Sequence, residues 1–212
     1  INEFDRLKQA LETGLKGREA IPNAIASLVA NRLIYGDNHM FSIPGSGTLA
    51  SIENIALDDL KAFYSKLSPK NATLHIAGAI SKDATTTVVA SMNNFKADEV
   101  KIPKQELSSN TEAGNLYFID VPGSKQSVIV IGKMALAATD ENANNLNFAN
   151  EILGGGSSGR LFQTLRIEKG YTYGAYSGYQ NSLEVAPFTV RTSVRANATF
   201  KSLKIIQEML QG

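Results

Sequence analysis

Cysteine is absent from this 212-residue chain. That absence removes disulfides, thiolate zinc sites and a cysteine nucleophile together. Histidine is scarce, with His39 and His75 the only two. Neither has an acid or a second imidazole at helical spacing. Charge of one sign is missing too: 21 Lys and Arg face 20 Asp and Glu, for a net charge of +1. No polyelectrolyte field exists to attract nucleic acid or an anionic membrane, so neither is an expected partner. No apolar run approaches the ~18 residues of a membrane span. The opening "INEFDRLKQALE" is charged where a secretory signal would be apolar. The compartment stays open.

What is present is an ordinary globular composition, 43% hydrophobic and 19% charged. A chain of this length buries roughly 70% of the surface it exposes when unfolded, enough for a true core. Phe4, Leu7, Leu11 and Leu15 form one stripe and predict a helix at the start. Phe200, Leu203, Ile206 and Leu210 predict another at the end. With amphipathic helices running up to both termini, the chain reads as a segment of a longer protein.

Between them, Pro22 and Gly36 bracket a second helix, proline in the first turn and glycine past the end. Leu57 to Leu67 predicts a third, with Asp58 and Asp59 complementing its dipole. "ATLHIAGAI" alternates as a strand, and Ser81 caps a following helix with Val88, Val89, Met92 and Phe95 on its buried side. Residues 96–114 are polar and read as a linker. Beyond it, "NLYFIDV" and "QSVIVIGKMA" are strand-like, a helix runs through Leu146, Ala149, Asn150 and Leu153, and a short helix carries Leu161 and Leu165. "YTYGAYSGY" and "PFTVRTSVRA" then form a hairpin. The class is α+β, a mostly antiparallel sheet packed with helices.

Gly154, Gly156 and Gly159 in "LGGGSSGR" match the spacing G-x-G-x-x-G. A dinucleotide loop must leave a strand and enter a helix. Here a helical pattern, "DENANNLNFANEIL", precedes the glycines, and no Gly-Lys-Ser/Thr follows them. The spacing therefore reads as a helix-to-helix turn and not as a nucleotide site.

The residues that follow are more specific. "NEILGGGSSGRLFQTLRIEKGYTYGAYSGY" closely resembles the signature of the second lobe of the pitrilysin/insulinase family of zinc metallopeptidases, the inverted zincins. The family pattern is a leucine-and-glycine turn, a Ser-Arg-Leu-Phe helix, a Leu-Arg pair, a glycine, and a tyrosine seven residues past the arginine. Leu165, Arg166, Gly170 and Tyr173 stand at those places. "VPGSKQSVIVIGKMAL" resembles the strand that opens the family's second lobe, and "IENIALDDLKAFYSKLSPKNATLHIAGAISKDA" the back half of its first, so the likeness covers nearly the whole chain.

The resemblance implies a metallopeptidase-lobe-like fold and a division into residues 1–95, the back half of one lobe, 96–114, a connection, and 115–212, the front half of the next. Because the family's lobes are pseudo-repeats, the two halves are expected to close as one permuted lobe, within one chain or by exchange in a homodimer. "NATLHIAGAI" and "SVIVIGKMA" would then share a sheet.

The departures set the functional expectation. In the family, His-x-x-Glu-His and a distant glutamate hold zinc and activate water. His39 and His75 cannot form that motif. His39 reads as a solvated turn residue and His75 as a strand residue facing away from Leu74 and Ile76. Glu3 and Glu12 match the third ligand poorly and read as solvated helix positions. No catalytic residue and no metal ligand is assigned, and zinc is expected only in a catalytic lobe elsewhere.

What the resemblance does assign is substrate contact, through Arg166 and Tyr173. Arginine offers a charged fork of donors and tyrosine a hydroxyl, so the pair can hold a peptide carbonyl and the charge that develops on it. An aromatic cluster of Tyr171, Tyr173 and Tyr179 on one strand face, with Arg166 paired to Glu168, is the packing alternative. The expected function is a non-catalytic, substrate-contacting and chamber-forming segment of such a peptidase. Its partners would be a peptide or unfolded polypeptide and a catalytic lobe or partner subunit. The alternative is a structural or assembly subunit with no peptidase role.

Overall fold

Alternation in the C-terminal half does what period-2 patterning requires. In β1 (Gln126–Met134) and β3 (Pro187–Arg195), Ile129, Val190, Thr192 and Val194 turn to one face and are buried, while Val128, Val130, Arg191 and Ser193 turn to the other. The computed structural model describes residues 2–91, 100–101 and 114–212. β1 pairs antiparallel with β3 from Gln126↔Arg195 to Met134↔Pro187. β2 (Thr172–Tyr179) pairs antiparallel with the other side of β3, so the sheet order is β1-β3-β2. The class is α+β, and the 172–195 hairpin forms as the sequence predicts.

Chain contacts divide the described residues into two units, 1–12 with 49–105 and 13–48 with 106–212. The second holds the sheet. Its core gathers Ile129, Leu161, Leu165, Ala175, Val190, Val194 and Ile206, with Leu153, Tyr171, Leu203 and Met209 packed around them. Helices α6 (Ala143–Leu153), α7 (Arg160–Phe162) and α8 (Thr199–Gln211) cover this face. In α8 the buried stripe runs through Ser202 and Ile206, and Phe200, expected on it, is exposed.

On the opposite face lies α2 (Pro22–Tyr35), which starts at its proline and stops at Gly36, whose φ of 81° suits glycine. Ser193 Oγ lies 3.3 Å from Asn23 Oδ1, and Arg191 donates to Ser27 Oγ at 2.8 Å. Asn23 and Ser27, one turn apart, thus fasten the helix to β3. Further along, a Cβ on Gly132 would meet Ile34 Cδ1 at 2.5 Å, so glycine lets that side chain seat on the strand.

In the first unit, α3 (Leu49–Glu53) and α4 (Leu57–Tyr64) follow α1 (Asn2–Arg18), whose chain crosses from one unit into the other at residues 12 and 13. Lys8 Nζ donates to the Glu53 and Ile55 carbonyls at 3.0 and 2.9 Å, placing a cation at the end of α3. Asp59 accepts the Ala56 N–H at 2.8 Å and opens α4, which ends three residues earlier than expected. Ser81 caps α5 (Lys82–Ser91) by accepting the Ala84 N–H at 3.2 Å.

Two expected strands are not formed. Residues 72–77 and 115–120 carry no ladder among the described residues, and Leu74, Ile76, Leu116 and Phe118 are exposed. Alternation prepares a strand, but only a paired edge makes one. Among the described residues, the "NATLHIAGAI" segment, expected to share a sheet with β1, accordingly joins no strand ladder. The linker at 96–114, apart from residues 100, 101 and 114, and the helix positions Met92 and Phe95 lie outside the described residues. Among the described residues no helix is long and apolar enough to cross a membrane.

Candidate functional site

Two backbone irregularities bring Arg166 and Tyr173 together. The first is a π-helical turn, Gln163–Glu168, continuing α7. Lys169 N–H reaches back to Thr164 O at 3.0 Å, one residue further than in an α-helix, and Tyr171 N–H donates to Leu165 O at 2.9 Å. Leu165 plugs the core, and its neighbour Arg166 turns out toward β2.

The second is a bulge in β2. Thr172 pairs with Val194 and Ala175 with Thr192, so three steps along β2 oppose two along β3. Hydroxyls pin it: Thr172 Oγ1 accepts the Gly174 N–H at 3.1 Å and lies 2.7 Å from Ser193 O, and Thr192 Oγ1 donates to Gly174 O at 2.9 Å. The extra residue shifts the alternation. Thr172, Ala175 and Ser177 face the core, while Tyr173 and Tyr176 are exposed.

This separates the three tyrosines that simple alternation puts on one face. Tyr171 packs against the core, with the Arg195 guanidinium 5.8 Å from its ring centroid. Tyr179 donates to Leu136 O at 2.9 Å. Tyr173 is 82% exposed, and the Arg166 guanidinium carbon lies 5.0 Å from its ring centroid, a cation–π arrangement. Arg166 Nη1 also reaches Thr172 O at 3.4 Å, and no carboxylate pairs with Arg166 among the described residues.

Tyr173 borders a groove of ≈ 470 Å³ on the sheet face beside α2. Val128 and Val130 line it from β1, Arg191 and Ser193 from β3, Tyr176 from β2 and Asn23 from α2. Phe162 backs Tyr176, ring centroids 5.7 Å apart. Tyr176 and Arg191 are functional candidates that reading the sequence missed. Strict alternation in "PFTVRTSVRA" already sets Arg191 opposite the buried valines; Tyr176 was hidden by the bulge.

The glycine turn has a packing role. A Cβ on Gly154 would meet Ser177 N at 2.6 Å and Leu161 Cδ1 at 2.7 Å, and one on Gly159 would meet Gly154 Cα at 2.8 Å. Gly154 O accepts the Ser177 N–H at 2.9 Å, and Ser177 Oγ donates to Asn150 Oδ1 at 2.7 Å. These glycines let the turn after α6 lie directly on β2.

The histidines depart from expectation. His39 is buried, 3% exposed, stacked on Tyr35 at 4.9 Å and tilted against Phe41 at 5.3 Å. Its Nδ1 accepts the Phe41 N–H at 3.1 Å. A turn flanked by two aromatic rings encloses an imidazole that its polar neighbours in "GDNHMFS" suggest is solvated. Burial also pushes the Tyr35 hydroxyl pKa up. His75 is exposed on the extended segment 72–77. Glu3 pairs with Arg6, and no three His, Asp or Glu side chains gather among the described residues. With His39 Nδ1 engaged and its ring enclosed, these residues do not fit a zinc site.

The chain resembles known proteins along its length. It is 25% identical over 210 residues to "Uncharacterized zinc protease YmxG" of Bacillus subtilis, covering 99% of this chain and 50% of that one. It is 22% identical to "Non-peptidase homolog YmxG" of Helicobacter pylori, over 99% of this chain and 49% of that one. The crystal structure of a peptidase M16 inactive domain from Pseudomonas fluorescens superposes with a TM-score of 0.86 at 26% identity, covering all of this chain and 51% of that one. The chain thus spans about half the length of these relatives. Residues 54–212 match the family model described as the peptidase M16 inactive domain, and the chain therefore belongs to the peptidase M16 family, the pitrilysin/insulinase group.

Proposed function

We propose that this chain is a non-catalytic segment of an M16 peptidase that contacts the peptide substrate and walls the chamber around it, while a catalytic lobe or partner subunit performs hydrolysis. The observation that carries this reading is the Arg166–Tyr173 pair, a guanidinium set over an exposed phenol ring that borders the groove, with no carboxylate paired to the guanidinium among the described residues. The guanidinium and the phenol hydroxyl supply donors for a peptide carbonyl and for charge developing on its oxygen. Two backbone irregularities hold the groups in place before substrate arrives. Packing alone gives no account of so exposed a tyrosine.

The test is turnover by the full-length protein. Arg166→Ala or Tyr173→Phe slows it by about a hundredfold, as loss of one preorganised donor does. Tyr173→Phe leaves the thermal midpoint unchanged, since the ring is solvated. Unchanged turnover in both variants returns the pair to packing. The name of the Helicobacter pylori relative, a non-peptidase homolog, favours a second reading, an assembly subunit without peptidase activity. A full-length sequence without His-x-x-Glu-His, together with indifference to both substitutions, supports it.

We further propose that residues before and after the 96–114 connection close as one lobe, in one chain or by exchange between two. The packing of α2 on β1, from opposite sides of that connection, supports this reading. Residues 1–95 and 115–212 expressed as separate polypeptides then co-purify. Independent elution of the two refutes closure, and a dimer of the intact chain by light scattering indicates the exchanged form.

A further inference from the structure

Among the described residues, Arg191 is the one formally charged side chain lining the groove. It is half-buried, and Val130 and Tyr176 are its ladder partners on either side. Its Nη1 donates to Ser27 Oγ at 2.8 Å, its single side-chain hydrogen bond among the described residues, which orients the guanidinium while Nε and Nη2 have no protein partner there. No carboxylate pairs with it among the described residues. A half-buried, orientated guanidinium with two donor groups open to a ligand can take an anion, and its planar fork suits a carboxylate.

The surroundings select how that carboxylate is carried. Val128 and Val130 give the groove an apolar floor, and Tyr173 and Tyr176 an aromatic wall. Such a lining suits the methylene stem of a side chain. The groove spans all three strands, about 10 Å at the usual strand spacing, the length of some three extended residues. An extended peptide crossing the sheet past Tyr173 can thus lower one side chain to Arg191. Resting on the reading that the groove holds peptide, we propose that Arg191 is a specificity-determining residue that receives the carboxylate of an acidic side chain, a glutamate best of all, in the bound peptide. Ser27 is its positioning residue.

The experiment measures binding, so it does not depend on turnover. Fluorescein-labelled, amidated peptides that carry a single Glu or a single Gln at successive positions are titrated with the full-length protein, followed by anisotropy. At one position Glu binds about tenfold tighter than Gln, the scale of a charge-assisted hydrogen bond. Arg191→Gln brings that ratio to about one, weakening the Glu peptide more than its Gln counterpart; Arg191→Lys, which keeps the charge without the fork, retains part of it. Matching melting curves for the two variants exclude a folding defect, and the Lys variant carries the test if the Gln variant does not fold. An equal affinity for Glu and Gln peptides at every position overturns the proposal but leaves peptide contact standing. A preference that Arg191→Gln does not remove also overturns it. A preference appearing only in peptides with a free C-terminus reassigns Arg191 to the chain end and overturns the side-chain assignment. Absence of all peptide binding overturns this proposal and the groove's peptide role together.

Discussion

Gly154 and Ser177 meet backbone to backbone: the carbonyl of one accepts the amide of the other at 2.9 Å, and a Cβ on Gly154 would stand 2.6 Å from that amide nitrogen. The amide belongs to β2 and cannot swing aside as a side-chain tip can. Gly154→Ala must therefore push the turn off the strand, at a cost of about 1–3 kcal/mol. Chemical denaturation reads the cost as a lower midpoint at unchanged slope. A shift below a few tenths of a kcal/mol means the turn has slack.

Thr172→Val removes the hydroxyl that satisfies the Gly174 N–H and the Ser193 carbonyl inside the bulge. Valine keeps the shape, so the loss is that of unpaired backbone groups, about 1–3 kcal/mol. Thr172→Ser keeps the hydroxyl and recovers most of it. Because Tyr173 follows directly, the Val variant also lowers whatever activity Tyr173 supports, by more than its stability loss explains.

Tyr35 gives the fold an alkaline limit. Its hydroxyl, buried in the folded state, loses its proton at higher pH than the ordinary value of 10.0. The unfolded chain therefore releases this proton first, and stability falls as pH rises above that value; below it the contribution is fully present. Tyr35→Phe flattens this decline in the range above pH 10.0. Melting midpoints of both proteins across that range measure it, and parallel curves refute it.

The chain by itself is expected to retain no stoichiometric zinc after dialysis and to cleave no peptide, since His39 is enclosed and no three His, Asp or Glu side chains gather among the described residues. Metal analysis and a chelator-controlled peptide assay check this. One zinc per chain contradicts it.

Elements closed by local chemistry were legible in the sequence. Pro22 and Gly36 mark both ends of α2, Ser81 marks the cap of α5, and alternation alone gives β1 and β3 with the right residues inside. Elements decided by a distant partner were not. Leu74 and Ile76 alternate as well as Ile129 does, yet 72–77 finds no strand to pair with among the described residues. The seven-residue spacing of Arg166 and Tyr173 announced the pair, but not its geometry, because alternation cannot reveal where a strand inserts an extra residue. His39 was misread because a window of polar neighbours hides Tyr35, four positions back on the helix, whose ring closes over it. That spacing was the available signal.

The π-helical turn makes the pairing of Arg166 with Tyr173 a matter of phase. An α-helix advances about 100° per residue, and the turn accommodates one residue more than α geometry would. Deleting one residue of the turn other than Leu165 and Arg166 lets the segment rewind as α-helix, carrying the guanidinium a quarter-turn or more from the phenol ring while Leu165 competes to stay in the core. The bulge behaves the same way on the other side, since losing one residue there sends Tyr173 inward. Chain length between residues 163 and 175 is thus under a tighter constraint than residue identity: this stretch tolerates replacement far better than it tolerates a gap.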